Sequence, residues 1–237
     1  MNRRIVHLGL ALCLTFASSG CIIAIGVDSD GDWAESSWWD SKGVSGSGVE
    51  KVETRAVADF KRIQIACSAD LSVRIGSPTA VTVSGDDNIV PHLQTEVQNG
   101  VLVIKMEEGG YRHRRGLRVT ATVPALEGVS VSGSSDVDVS GVSGRSLDLA
   151  VAGSGDITAS GEVDALSVSV SGSGDLRLFG LKARQATVQI AGSGDVTVHA
   201  VEALSAAVSG SGDVRYRGEP TVTKSVAGSG SVSRADS

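Results

Sequence analysis

Five aspartates recur at one phase of this sequence. Gly133-Ser134-Ser135-Asp136 is followed by Gly153-Ser154-Gly155-Asp156, Gly172-Ser173-Gly174-Asp175, Gly192-Ser193-Gly194-Asp195 and Gly210-Ser211-Gly212-Asp213. A degenerate copy, Gly228-Ser229-Gly230-Ser231, comes last, and successive copies start 20, 19, 20, 18 and 18 residues apart. Carboxylates in such a series suit two chemistries. One is a row of calcium ions, which take carboxylate oxygens as ligands. The other is structural, with each aspartate accepting hydrogen bonds from backbone N–H groups of its corner. Calcium-binding nonapeptide repeats set one residue between the last Gly and the Asp. Here Asp follows Gly directly and the repeat is twice as long, which favours the structural corner. Asp136, Asp156, Asp175, Asp195 and Asp213 stay the candidate Ca2+ ligands, and no other cofactor is indicated. Asp28-Ser29-Asp30-Gly31-Asp32 lacks the glycine of an EF-hand at its sixth position, where Trp33 stands.

A basic run forms the second constellation. Lys105, Arg112, His113, Arg114, Arg115 and Arg118 surround Gly109-Gly110. This reads as a solvated hairpin tip or as a contact for anionic lipid headgroups or acidic glycans. Arg112, Arg114 and Arg115 are its candidate binding residues. A third set, Glu162, Asp164 and Glu202, falls at turns where paired acids could do general acid–base work on a glycan, or simply keep the turns soluble. His92, His113 and His199 share no motif, and the Gly-Ser-Gly strings lie at strand corners rather than at a strand-turn-helix elbow. No catalytic residue is assigned.

The elements that must position these groups are strands. Apolar residues alternate before each corner, as in Leu147, Leu149 and Val151, or Leu166, Val168 and Val170. They alternate after it too, as in Leu176 and Leu178, or Val196 and Val198. Period two means a strand with one buried face. Second corners follow at Ser140-Gly141, Ser160-Gly161, Phe179-Gly180 and Arg217-Gly218. No unit can bury its face alone, so the units must stack. The expected fold is all-β, a right-handed parallel β-solenoid (β-helix) with coils of roughly 18–20 residues. Outward residues such as Asp138, Thr158, Arg177, Thr197 and Arg215 would then align in a ladder. In the front half, Ile63, Ile65, Cys67-Ser68-Ala69-Asp70, Leu71 and Val73 follow the same grammar. Asn99-Gly100 marks a hairpin, and residues 117–123 form another strand. Lys224 falls at an inward position of the final copy, and no capping helix follows, so self-association into a homo-oligomer stays open.

Composition agrees. The 237 residues are 41% hydrophobic but 3% aromatic, so the core must be built from Val, Leu, Ile and Ala. A net charge of −6 argues against a nucleic-acid partner. Arg3 and Arg4, then the apolar residues 5–17, then Ser18-Ser19-Gly20-Cys21, read as an export signal over residues 1–20. The small residues before Cys21 resemble a lipobox, so Cys21 is the expected lipidation site and the lipid the expected membrane contact. The other reading is an ordinary cleaved signal with Cys21 a bystander. Ile22 stands where an aspartate retains some lipoproteins at the inner membrane, which points to the outer membrane. Cys13 lies in the leader, so Cys67 is left alone, with a buried structural role rather than a disulfide. Residues 21–58, rich in Gly, Ser and Asp, read as the lipidated N-terminus and a flexible linker. The domain is expected over 59–237, less regular over 59–126 and regular over 127–237.

Taken together, Phe60-Lys61-Arg62-Ile63, the Asn99-Gly100-Val101-Leu102-Val103-Ile104 hairpin, Leu117-Arg118-Val119-Thr120 leading to Pro124, and the Gly-Ser-Gly-Asp series resemble the head GIN domain family of bacterial auto-transporter adhesins. The resemblance covers residues 59–237. It implies a β-helical fold and an adhesin-like role, and it carries no catalytic residue to transfer. The expected function is a non-enzymatic cell-envelope lipoprotein whose solenoid binds a glycan or an envelope protein. The alternatives are a carbohydrate-active β-helix enzyme acting on envelope polysaccharide and a purely structural envelope lipoprotein.

Overall fold

The computed structural model describes residues 43–235. The leader at 1–20, Cys21 and the Asp28-Ser29-Asp30-Gly31-Asp32 stretch lie outside the described residues. In chain order the first strands are β1 (Val44–Ser45), β2 (Glu50–Arg55), β3 (Arg62–Ala66), β4 (Asp70–Ile75) and β5 (Ala80–Asp86). A 3-10 turn over Val90–His92 leads to β6 (Leu93–Gln98), β7 (Val101–Met106), β8 (Tyr111–Arg112) and β9 (Arg118–Val123). The regular half holds β10 (Gly128–Gly133), β11 (Val137–Gly153), β12 (Ile157–Gly172), β13 (Leu176–Gly192) and β14 (Val196–Gly210). It ends in β15 (Asp213–Arg217), β16 (Thr221–Gly228) and β17 (Ser231–Arg234). Among the described residues no helix is long and apolar enough to cross a membrane.

The alternating apolar residues of β10 to β17 stack in parallel. Leu147, Leu166, Ala186, Leu204 and Val222 share one inward column. Val151, Val170, Ile190, Val208 and Val226 share another. The result is a β-solenoid of about five turns. Each rung buries its apolar side chains on those of its neighbours, and all of these but the last rung's are inaccessible to solvent. The second corners only dent the long strands: pairing of β11 with β12 shifts register between Val139 and Val142 and then resumes.

The corners explain the glycines. Each first corner glycine has a positive φ, as at Gly172 (φ 132°), a region that side chains disfavour. The third corner residue is buried against the rung below. A Cβ on Gly174 would stand 2.1 Å from the Gly155 carbonyl oxygen and 2.9 Å from Val151 Cγ1. Lower down the same place is taken by Ser135 and Ala69, both buried. The Ser135 hydroxyl donates to the Cys67 carbonyl oxygen, so the coil below supplies its polar partner. Cys67 itself is half-buried and packs against the core.

The front half departs from sequential stacking. β3 pairs in parallel with both β10 and β7, and β4 with both β11 and β9. The coil made by β3 and β4 is therefore sandwiched between one made by β7 and β9, later in the chain, and the regular stack. The connection between β4 and β7 closes the lower end. β5 runs antiparallel to β9, β6 antiparallel to β7, and Ile89, Val90 and Leu93 are buried beside them. The Asn99-Gly100 turn joins β6 and β7, with φ of 52° and 77° as a two-residue hairpin needs.

The stretch read as a linker up to residue 58 is not all linker, since its described part, residues 43–58, carries β1 and β2. β2 pairs antiparallel with β5, and β1 pairs in parallel with β8, so the sheet begins well before Asp59. No residue of β2 is buried, and Val52 is 64% exposed. With no apolar face to reveal it, this strand owes its shape to the edge it finds on β5. At the other end no described residue covers the last rung: Lys224 aligns with the buried Ala206, as its phase implies, and its Nζ donates to the Val232 carbonyl at 3.4 Å.

Candidate binding face and its corner ladder

The corner aspartates line up along one edge of the stack, and their carboxylates are used. Asp156 Oδ1 accepts the backbone N–H of Asp175 at 2.9 Å. Asp175 Oδ1 accepts that of Asp195 at 3.0 Å, and Asp195 Oδ1 that of Asp213 at 2.8 Å. Asp213 Oδ1 closes the series on the N–H and hydroxyl of Ser231. Backbone bonds run the other way, as from the Leu176 N–H to the Asp195 carbonyl at 2.8 Å. Each aspartate thus fastens its rung to the next. These bonds offset the repulsion between carboxylates spaced one rung apart, about 1 kcal/mol per neighbour in water. Among the described residues no three His, Cys, Asp or Glu side chains gather around a point where a metal would sit.

The ladder stops at the lower rungs. The Asp70, Asp136 and Asp138 side chains make no hydrogen bond among the described residues, and all three are exposed. They line an open groove of about 460 Å³ with Ser72, Arg118, Thr158 and Arg177. The Arg177 guanidinium lies 3.0 Å from Asp156 Oδ2 and 3.6 Å from Asp175 Oδ2, joining two rungs. Asp138, Thr158, Arg177, Thr197 and Arg215 form the outward column expected of them. The face therefore offers free carboxylates, hydroxyls and guanidinium groups at rung spacing, about 4.8 Å. No aromatic ring lines the groove.

The second-corner acids do not make a carboxylate pair. Arg184 lies between Asp164, at 3.5 Å, and Glu202, at 3.0 Å, and Lys182 takes Glu162 at 3.5 Å. Alternating charge, rather than a proton shared between acids, is what this corner holds. Cys67 is no better placed for nucleophilic work, because burial pushes its thiol up, against a smaller downward pull from the Ala69 backbone.

The basic run occupies the corner of the lowest coil, between β7 and β9, where higher rungs carry their Gly-Ser-Gly-Asp turn. A residue not singled out in the sequence holds it. Asp86 is fully buried, and its carboxylate accepts the Gly48 N–H at 2.8 Å, the Arg114 N–H at 2.9 Å and the Arg115 N–H at 3.1 Å. Burial alone would raise this carboxyl, but the three backbone donors and nearby His113 outweigh it and hold it below the ordinary aspartate value. Only the fold brings residues 48, 86 and 114 together, so their spacing in sequence carries no signal. Arg115 is tied to the Gly48 carbonyl and, more loosely, to Glu50. Arg112 and Arg114 are exposed and form no ion pair among the described residues.

The sequence profile described as "Putative auto-transporter adhesin, head GIN domain" matches residues 59–220. The chain belongs to the head GIN domain family. Solved structures agree on the fold of this head GIN domain. A "putative adhesin" from Bacteroides fragilis NCTC 9343 is 23% identical, with a TM-score of 0.69, covering 81% of this chain and 100% of that one. A "putative lipid binding protein" from Parabacteroides distasonis ATCC 8503 is 24% identical, with a TM-score of 0.55, covering 81% of this chain and 99% of that one. No curated protein matches the chain. The last rung, β16 and β17, lies beyond the matched residues and continues the stack.

Proposed function

We propose that this head GIN domain is a non-enzymatic, adhesin-like binding module of the bacterial cell envelope, held to the outer membrane by lipid on Cys21. One observation carries the reading: the two corner aspartates whose carboxylates fasten no rung among the described residues, Asp70 and Asp136, line the groove together with the outward Asp138, Arg118, Thr158 and Arg177. Elsewhere on that edge the carboxylates fasten rungs together; here they face solvent. Regularly spaced acceptors and donors suit an extended polar partner, such as a glycan chain. The family's description as adhesins supports the same reading. The Arg184 pairs weigh against a carbohydrate-active enzyme, since they neutralise the acids such chemistry would use.

The test is retention of purified envelope polysaccharides on the immobilised chain, with Asp138→Ala and Arg177→Ala as the groove variant. Retention by the wild type and its loss in the variant, at equal melting temperature, is expected. Equal retention by both would overturn the assignment to this groove. Release of new reducing ends would instead establish an enzyme.

A further inference from the structure

Gly43 and Val44 enter the fold beside the basic corner. The Val44 N–H donates to the Gly110 carbonyl at 2.8 Å, the Gly46 N–H to the Arg112 carbonyl at 2.8 Å, and β1 pairs with β8. The described chain therefore begins at the loop that carries Arg112, His113, Arg114 and Arg115. Residues 22–42, the stretch between Cys21 and that point, number 21. Fully extended they reach at most about 75 Å. We propose that the 107–116 corner is a docking surface for the anionic headgroups of the membrane to which the chain is tethered. The proposal deepens the envelope reading and rests on lipid attachment at Cys21.

Three features make the corner fit that occupant. Asp86 fixes the loop backbone through the Arg114 and Arg115 N–H groups and holds Gly48 beside it through a third hydrogen bond, so the arginines are presented on a rigid support rather than on a free tip. Most acids nearby are engaged: Glu107 bonds the His92 ring at 2.9 Å, Asp87 accepts from the Ser47 hydroxyl, and Arg115 faces Glu50. Arg112, Arg114 and His113 outnumber the exposed Glu108. Finally, the whole chain carries a net −6, so an anionic surface repels the body and attracts this corner. The tether and the attraction act at the same place, which would stand the solenoid with its uncovered rung away from the bilayer and the corner edge running outward.

The experiment uses the chain from residue 21 with Cys21→Ser, because every described strand and the whole core lie within 43–235. Binding is read by flotation with phosphatidylglycerol-rich vesicles and with pure phosphatidylcholine vesicles, at low and high salt. Binding to the anionic vesicles alone, weakened by salt, is expected. Each basic side chain near such a surface strengthens binding about fivefold. Arg112→Glu with Arg114→Glu should therefore weaken it by at least about 25-fold, while Arg234→Glu, on β17 of the last rung, changes nothing. Arg115 is left alone because its guanidinium holds Gly48. Equal binding to both lipids, no binding, or an unaffected double variant overturns the proposal. So does capture by soluble acidic polysaccharide without capture by vesicles, which would make the corner a glycan site. Mass spectrometry of Cys21 in the intact protein tests the anchor separately, so the two readings can fail independently.

Discussion

Asp175 stands between two rungs: its backbone N–H donates to Asp156 Oδ1 at 2.9 Å, and its own Oδ1 accepts the Asp195 N–H at 3.0 Å. The residue is donor and acceptor in one series of bonds along the edge of the stack. Asparagine can keep both roles, since its amide retains a carbonyl oxygen; alanine keeps only the donor. Asp175→Asn is expected to be close to neutral. Asp175→Ala should cost about 1 kcal/mol, the usual net worth of one such hydrogen bond. Urea denaturation of the two variants checks this, and equal loss in both would show that charge rather than hydrogen bonding is what matters.

The same bonds predict indifference to calcium. With Oδ1 of Asp156, Asp175, Asp195 and Asp213 committed to backbone donors, an added cation must displace bonds before it gains ligands. The melting temperature should be the same in calcium and in chelator. A rise of several degrees in calcium would revive the ion-binding reading of the repeat.

Corner glycines should be intolerant where strand glycines are not. A Cβ at position 174 meets backbone at 2.1 Å, whereas one at Gly144 meets nothing within 4 Å. Gly174→Ala should destabilise by about 3 kcal/mol or more, the upper end for overpacking in a site that cannot relax. Gly144→Ala should be neutral or slightly stabilising, because it removes freedom from the unfolded chain. Thermal melts of the pair decide it.

Asp86 sets an acid limit on the lower end of the solenoid. Its folded carboxyl sits below the ordinary aspartate value, so the stability it contributes is present above about pH 4 and lost as pH falls through the folded value. Asp86→Asn should melt several degrees lower than wild type at pH 7, with the gap narrowing as pH falls below about 4. A gap that is independent of pH would mean the charge of this residue is irrelevant.

Cys67 should be slow to react. Burial raises its thiol, leaving less thiolate at neutral pH, and the side chain is half-buried. Labelling by a maleimide at pH 7 should be slow in the native protein and fast in denaturant. Fast native labelling would show that the corner at Cys67 opens readily.

The sequence by itself determined the regular stack. Near-equal spacing of Gly-Ser-Gly-Asp fixed the rung length, and period-two alternation fixed which residues face inward, because in a parallel stack each rung repeats the environment of the one below. The ladder through Asp138, Thr158, Arg177, Thr197 and Arg215 follows from that arithmetic alone. Even Lys224 betrayed the end of the stack by its phase. What only the tertiary structure decided is where the repeat breaks. The coil of β7 and β9 slips beneath that of β3 and β4, against chain order, because backbone edges pair by position in space and the hairpin turned the chain back toward a free edge. β2 carries no apolar face, so nothing local marks it as a strand before β5 offers it partners. Asp86 meets Gly48, Arg114 and Arg115 only through those same pairings. A buried carboxylate held by distant backbone donors has no local pattern, since its partners are amide groups that every residue carries.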